Sequence, residues 1–186
     1  PAPIKTTCVA PTGSISMLAG VSAGIHPIYS RYMKRRVRYA ADDPSLERHE
    51  LEGRHIEDCI YTENTKVVTF IARDKILEDY DEQLIEQADE ISVKDMLKTQ
   101  AFIQENWADN AVSFTVNIPE ETHRFEIASA LIVYLDQLKG TTIMTDGSRE
   151  QAPLERIDRH TYDALSIGDV SQGMDEECST GACPIR

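Results

Sequence analysis

The chain has 186 residues, 41% hydrophobic and 27% charged, and its 32 acidic against 19 basic side chains give a formal net charge of −13. That is one domain's length of ordinary globular composition. So acidic a balance argues against tracking a phosphate backbone, beyond a local basic patch, and no apolar run approaches the roughly 18 residues of a membrane span. Neither a nucleic acid nor a membrane is an expected partner. The first residues, Pro1 to Pro11, lack the apolar core of a signal peptide, so a cytoplasmic location is expected. The sequence opens on Pro1 directly ahead of an apolar segment, as a piece of a larger protein would.

The β-prone run Thr6-Thr7-Cys8-Val9-Ala10 predicts a strand ended by Pro11-Thr12-Gly13-Ser14, and Ile15 to Ala19 predicts a short helix closed by Gly20. Arg31, Lys34, Arg35, Arg36 and Arg38 then follow one another, with no acid between Gly20 and Ala41. This basic run reads either as a surface paired with nearby acids or as help with substrate or cofactor charge. From Asp42 to Glu63 the sign reverses, and the segment reads as a polar loop with a helical turn. Lys66 to Ala72 is expected to be a buried strand.

Ser92 is placed to cap a helix in which Val93, Met96, Leu97, Phe102 and Ile103 follow helical spacing up to Trp107, itself read as core. Val112, Phe114, Val116 and Ile118 then alternate with Ser113, Thr115 and Asn117, the period of a strand with one wetter face. Thr122 is expected to cap a second helix, with Ile127, Ala128, Leu131, Ile132, Leu135 and Leu138 as its stripe and Gly140 at its end. Thr141 to Thr145 reads as a strand and Thr161 to Leu165 as a last short helix. Strand, helix, strand, helix, strand predicts an α/β layer, with right-handed crossovers where strands are parallel. From Gly168 the sequence GDVSQGMDEECSTGACPIR is rich in Gly, Ser and acids, and a mobile tail is expected.

Two signals carry chemistry. Backbone N–H groups at a helix start are unpaired and lie at the positive end of the dipole, so Pro11-Thr12-Gly13-Ser14 can cradle a phosphate. The same pattern also fits a simply capped helix after a turn, since the Walker and GxGxxG fingerprints are both missing. The second signal is Cys178-Ser-Thr-Gly-Ala-Cys183, two thiols on an acidic, Gly-containing arm. Such a pair suits dithiol exchange. An incidental or metal-binding pair is the alternative, although zinc would need two further ligands that the tail lacks. Cys8, in an apolar run, reads as a small core residue, Cys59 as a spectator, and His26 as a packed or turn residue rather than a ligand.

Three ordered blocks, Cys8 to Tyr32, Glu105-Asn-Trp-Ala-Asp-Asn-Ala-Val-Ser113 and the terminal Cys-x4-Cys, together resemble the C-terminal part of an adenosylcobalamin-dependent ribonucleotide reductase. The likeness is to the monomeric ribonucleoside-triphosphate reductases. It implies a ten-stranded α/β barrel, of which residues 1–167 would be the C-terminal part and 168–186 a flexible redox tail. It implies that Thr12, Gly13 and Ser14, with Ser16 as a weaker candidate, contact substrate phosphate. It further implies that Cys178 and Cys183 are a shuttle dithiol served by a thioredoxin-type reductant. Adenosylcobalamin, a ribonucleoside triphosphate and the remainder of the reductase chain are then the expected cofactor, substrate and partner, and no resident metal is expected. The family's radical-bearing Asn-x-Cys-x-Glu motif is absent from this sequence. The alternatives are the large subunit of an iron-dependent reductase, which also ends in a cysteine pair, and a non-catalytic phosphate-binding or thiol-relay module.

Overall fold

The structure, a computed structural model, describes residues 4–13, 15–19 and 21–166. In chain order its elements are α1 (Ile15–Ala19), β1 (Tyr32–Ala40), α2 (Ser45–Leu51), β2 (His55–Asp58), β3 (Thr65–Arg73), α3 (Val93–Asn106), β4 (Thr115–Ile118), α4 (Arg124–Tyr134), β5 (Thr142–Thr145), β6 (Leu154–Arg156) and α5 (Arg159–Ser166). Short 3-10 turns lie at Lys75–Glu78, Glu82–Leu84, Ala88–Glu90 and Leu135–Gln137. The chain divides into two units, one formed by the residues up to Tyr29 with Lys75–Ser148, the other by Ser30–Asp74 with the residues from Arg149.

The first unit is built on a parallel β-α-β element, β4 and β5 joined through α4. Ser92 starts α3 as expected, its Oγ accepting the Asp95 N–H at 3.1 Å. Val93, Met96 and Leu97 of α3 then pack with Val112, Phe114, Val116, Ile118 and Ala130 into one core. Burying a side chain such as Leu97 or Val116 is worth about 1.5–3 kcal/mol. The period-two face at 112–118 is therefore real, although only Thr115–Ile118 forms ladder bonds.

Other expectations need correction. Thr6–Ala10 is not a strand, because its neighbour in space is itself irregular: the carbonyls of Thr7 and Val9 accept from the N–H groups of Asn110 and Ser113 at 3.0 and 3.3 Å, and no ladder continues. Cys8 is consequently exposed rather than in the core. Trp107 sits at the end of α3, 62% exposed, rather than in the core. The cap of α4 is His123, whose Nδ1 accepts the Phe125 N–H at 3.3 Å, not Thr122. Ile132 and Leu135 of the expected stripe are 76% and 66% exposed, and Leu135 lies beyond α4 in the 3-10 turn; with apolar residues on every side of this segment, periodicity could not tell its buried face from its exposed one. Gly140 does not end this helix, which closes at Tyr134 and passes into a 3-10 turn.

Two buried glutamines hold the chain where it leaves α3. At positions i and i+4 they share a helix face. Gln104 donates through Nε2 to the carbonyls of Ala108 at 2.7 Å and Asn110 at 2.8 Å, and its Oε1 accepts the Val112 N–H at 3.1 Å. Gln100 Nε2 donates to the Gly140 carbonyl at 2.7 Å and the Val112 carbonyl at 3.3 Å. The loop between Trp107 and Phe114 has no helix or strand to satisfy its backbone, and the glutamines take that role.

The second unit is an antiparallel sheet in the order β2-β3-β1-β6. The expected strand at Lys66–Ala72 is present as β3, but it pairs along nine residues with β1, from Tyr32↔Arg73 to Ala40↔Thr65, rather than joining a single layer with β4 and β5. The expected polar loop at 42–63 contains α2 and β2. The basic run falls on β1, where Met33 and Tyr39 are buried on one face and Lys34, Arg36 and Arg38 alternate on the other. Glu155 of β6 takes Lys34 Nζ at 3.0 Å and also Arg36, while Arg36 and Arg38 donate to the carbonyls of Ala152 and Gln151. Burial pushes the Glu155 carboxyl up, but the hydrogen bonds from Arg36 and Lys34 outweigh it and hold the group below its ordinary value. Half-buried Cys59 lies beside Arg38; burial raises its thiol, and the N–H groups of Tyr61 and Thr62 together with Arg38 bring it below the usual value.

Replacing Gln104 with Leu should destabilise the chain by about 2–4 kcal/mol, because two carbonyls and one N–H lose their partner. Exposed Glu105→Gln on the same helix should change stability by less than about 0.5 kcal/mol. Urea titration of both variants checks this, and equal midpoints would contradict the role given to Gln104.

Candidate functional site

The segment from Lys5 to Gly13 is bolted to the loop that follows α3. The Thr6 N–H and hydroxyl both donate to Asp109 Oδ2, at 3.2 and 3.1 Å. The Thr7 hydroxyl donates to the Trp107 carbonyl at 2.7 Å and accepts the Asp109 N–H at 3.0 Å. Lys5 and Lys139 both donate to the Asp109 carbonyl, at 2.9 and 2.6 Å. The backbone and hydroxyl hydrogen bonds from Thr6 hold the Asp109 carboxyl below its ordinary value of 3.8.

At the end of this segment Thr12 adopts φ +51°. For a β-branched residue that is an unusual, strained conformation, costing of the order of 1–3 kcal/mol. Two bonds hold it. The Thr12 carbonyl accepts the Ser16 N–H at 2.9 Å, opening α1, and the Thr12 Oγ1 accepts the Gly24 N–H at 2.7 Å. Gly24 has φ +55°, and a Cβ there would lie 2.9 Å from the Ala10 carbonyl oxygen, so no other residue fits. Gly13 is the opposite case. A Cβ at Gly13 would meet no described atom within 4 Å, so the protein's own packing does not require glycine there.

This geometry suits an anionic ligand. A hydroxyl that accepts one bond still has its proton to donate, and here the bond from Gly24 leaves the Thr12 O–H for an outside acceptor. The open flank of Gly13 lets a ligand approach the backbone closely. Neither residue titrates, so such a turn can position a ligand but cannot transfer a proton.

The structure therefore brings Thr12 and Gly13 together at the head of α1. Ser16 lies one turn on, 5% exposed, with its N–H committed to Thr12. Ser14, Cys178 and Cys183 lie outside the described residues. Sequence reasoning gave no role to Asp109, whose partners Thr6 and Thr7 lie about a hundred residues away, to Gly24, or to Gln104, whose partners are the backbone of an irregular loop. The Glu105 to Ser113 block marked a resemblance; its place in the fold is to hold the segment that leads to Thr12.

Residues 4–145 match the ribonucleotide reductase barrel-domain family. A Mycobacterium phage D29 protein, provisionally described as an adenosylcobalamin-dependent ribonucleoside-triphosphate reductase, is 40% identical over 200 residues that take in 100% of this chain and 29% of its own. The adenosylcobalamin-dependent ribonucleoside-triphosphate reductase of Levilactobacillus brevis is 36% identical, across 98% of this chain and 27% of its own. The crystal structure of a B12-dependent (class II) ribonucleotide reductase superposes with a TM-score of 0.68 at 32% identity, over 96% of this chain and 24% of that one. The chain belongs to the ribonucleotide reductase barrel-domain family. Its mixed α/β architecture matches that barrel fold, though the described residues form no closed barrel, and it spans only 24% to 29% of the length of these relatives. No helix among the described residues is long and apolar enough to cross a membrane.

Asp109 makes one bolt pH-sensitive. Its folded-state value is depressed, so its contribution is present above the ordinary carboxyl value of 3.8 and is lost as pH falls through the lower folded value. Asp109→Asn keeps an acceptor but no charge. The stability advantage of the wild type over this variant should be constant near neutrality and shrink below pH 3.8. Thermal unfolding across that range checks it, and a difference independent of pH would contradict the role of the carboxylate.

Proposed function

We propose that this chain is the part of an adenosylcobalamin-dependent ribonucleoside-triphosphate reductase that seats the substrate's phosphates and carries the shuttle dithiol. The observation that carries this reading is the Thr12–Gly13 turn: strained at Thr12, open at Gly13, and tied down on both sides, in a chain whose relatives bear that name. Residues 1–167 are the C-terminal part of the catalytic barrel and 168–186 the redox tail. Thr12, Gly13, Ser14 and, more weakly, Ser16 hold the triphosphate. They fix the ribose relative to the reacting groups, where a misplacement of about 1 Å can cost a hundredfold in rate.

Adenosylcobalamin supplies the radical that starts the chemistry in such an enzyme. The two enclosed imidazoles of this chain do not fit it as cobalt ligands. Both nitrogens of His26 are engaged by backbone groups, and His49 is 1% exposed with Arg54 against its Nδ1.

The tail restores the reductant. Each turnover removes the ribose 2′-hydroxyl as water and leaves an active-site disulfide. One thiolate of the Cys178/Cys183 pair attacks that disulfide, and the second thiol resolves the mixed species, so that two electrons and two protons pass inward and the tail becomes the disulfide. A thioredoxin-type dithiol then reduces the tail. From Ile167 to Cys178 is 178 − 167 = 11 residues, an arm of at most roughly 36–40 Å. The full-length protein acts as a cytoplasmic monomer in this reading.

The test uses the full-length reductase carrying this sequence, with adenosylcobalamin, thioredoxin and a ribonucleoside triphosphate. The wild type should turn over many times, whereas Cys178→Ser/Cys183→Ser should stop after about one turnover for want of a dithiol. Unchanged turnover in the double variant would contradict the shuttle role.

A further inference from the structure

The connection from α1 to β1 carries a half-buried imidazole whose two nitrogens are both committed to backbone. His26 Nδ1 lies 2.8 Å from the Ala23 carbonyl, and its Nε2 lies 2.9 Å from the Thr115 N–H. A backbone N–H can only donate, so Nε2 is the unprotonated nitrogen and Nδ1–H donates to Ala23. The ring stacks on Phe114, 4.8 Å between centroids and 16° from parallel. Thr115 is the first residue of β4, whose next residue, Val116, lies in the centre of the core.

We infer that His26 is a positioning residue for the phosphate-binding turn, fixing Gly24 against Thr12 from the β4 core. Its action runs through three contacts. The imidazole ties residues 23–26 to Thr115; the Ala23 carbonyl takes both the His26 N–H, at 2.9 Å, and the Nδ1–H; and the adjoining Gly24 N–H donates to the Thr12 hydroxyl at 2.7 Å. That last bond occupies an acceptor site of the hydroxyl and leaves its proton available to donate, which is what a phosphate oxygen requires. Gly24 passes close to the Ala10 backbone, where an added Cβ would lie 2.9 Å from the carbonyl oxygen, so the segment can take this seat only as glycine. Losing the His26 bonds would release the 23–26 segment, let the Thr12 hydroxyl rotate, and weaken substrate binding without removing any group that touches the ligand.

The inference rests on Thr12 and Gly13 binding the triphosphate, and the experiment separates the two ideas. In the full-length enzyme, His26→Phe keeps a ring to stack on Phe114 and removes both hydrogen bonds, whereas His26→Gln retains an acceptor for the Thr115 N–H. The phenylalanine variant should raise KM and the equilibrium Kd for the ribonucleoside triphosphate about tenfold while kcat changes by less than about threefold, the pattern of lost uniform binding. The glutamine variant should recover most of that loss.

Because His26 acts through Thr12, His26→Phe/Thr12→Ala should bind no more weakly than Thr12→Ala alone. Additive losses would overturn the inference. An effect of Thr12→Ala with none of His26→Phe would also overturn it and leave the phosphate turn standing, and no effect of Thr12→Ala would overturn both. Where His26→Phe fails to fold, wild-type affinity in a folded His26→Ala variant would equally overturn it.

Discussion

Two irregular stretches, residues 5–13 and 107–113, run side by side with backbone groups that no helix or sheet ladder can satisfy, and the candidate site stands on how those groups are paired. An unpaired amide in a partly dry environment costs about 1–3 kcal/mol, so such a segment needs side-chain partners or it will not hold one shape. Gln104 and Gln100 satisfy the second stretch from below, Asp109 and Thr7 cross-link it to the first, and the first ends at Thr12. The core under them, around Leu97 and Val116, anchors the glutamines themselves. A strained φ at Thr12 persists because the contacts around it leave no relaxed alternative.

This arrangement also separates two kinds of glycine. Gly24 serves the fold, being excluded from any other side chain by the Ala10 carbonyl. Gly13 has no such constraint from the described residues; it shares that openness with Gly53, Gly140 and Gly147, and differs from them in standing beside the strained Thr12 at the head of α1. The basic strand β1 gives the opposite lesson. Its Lys34 and Arg36 look available in sequence, but Glu155 and the carbonyls of the 151–152 turn engage them or their neighbour Arg38, as the reading of a paired surface expects.

Much of the first unit was legible because local chemistry and tertiary packing agree there. Ser92 caps α3 where its side chain suggested, and the alternation from Val112 to Ile118 marks the buried face. The second unit was less legible. Arg35, on the same face of β1 as Met33, Val37 and Tyr39, masked its alternation, and α2 and β2 lie in a stretch so polar that period carries little signal; the Asp43 carboxylate, receiving the N–H and hydroxyl of Ser45 at 2.9 and 2.6 Å, organises the start of α2 without any apolar pattern. At the site, Thr12 and Gly13 show as turn residues. The groups that hold the turn come from two distant parts of the chain, around positions 24–26 and 104–109, and only the fold juxtaposes them. Cys8 was misplaced for the same reason: an apolar run implies burial only where a regular partner strand exists to pair with it.

The central claim is that the open turn at Gly13 receives the substrate's phosphates. Equilibrium binding of a ribonucleoside triphosphate to full-length wild type and Gly13→Ala measures it directly, because the added methyl meets no described protein atom and should leave the melting temperature unchanged. The substitution should weaken binding about tenfold or more, close to 1.4 kcal/mol. Wild-type affinity in a folded Gly13→Ala variant would contradict it.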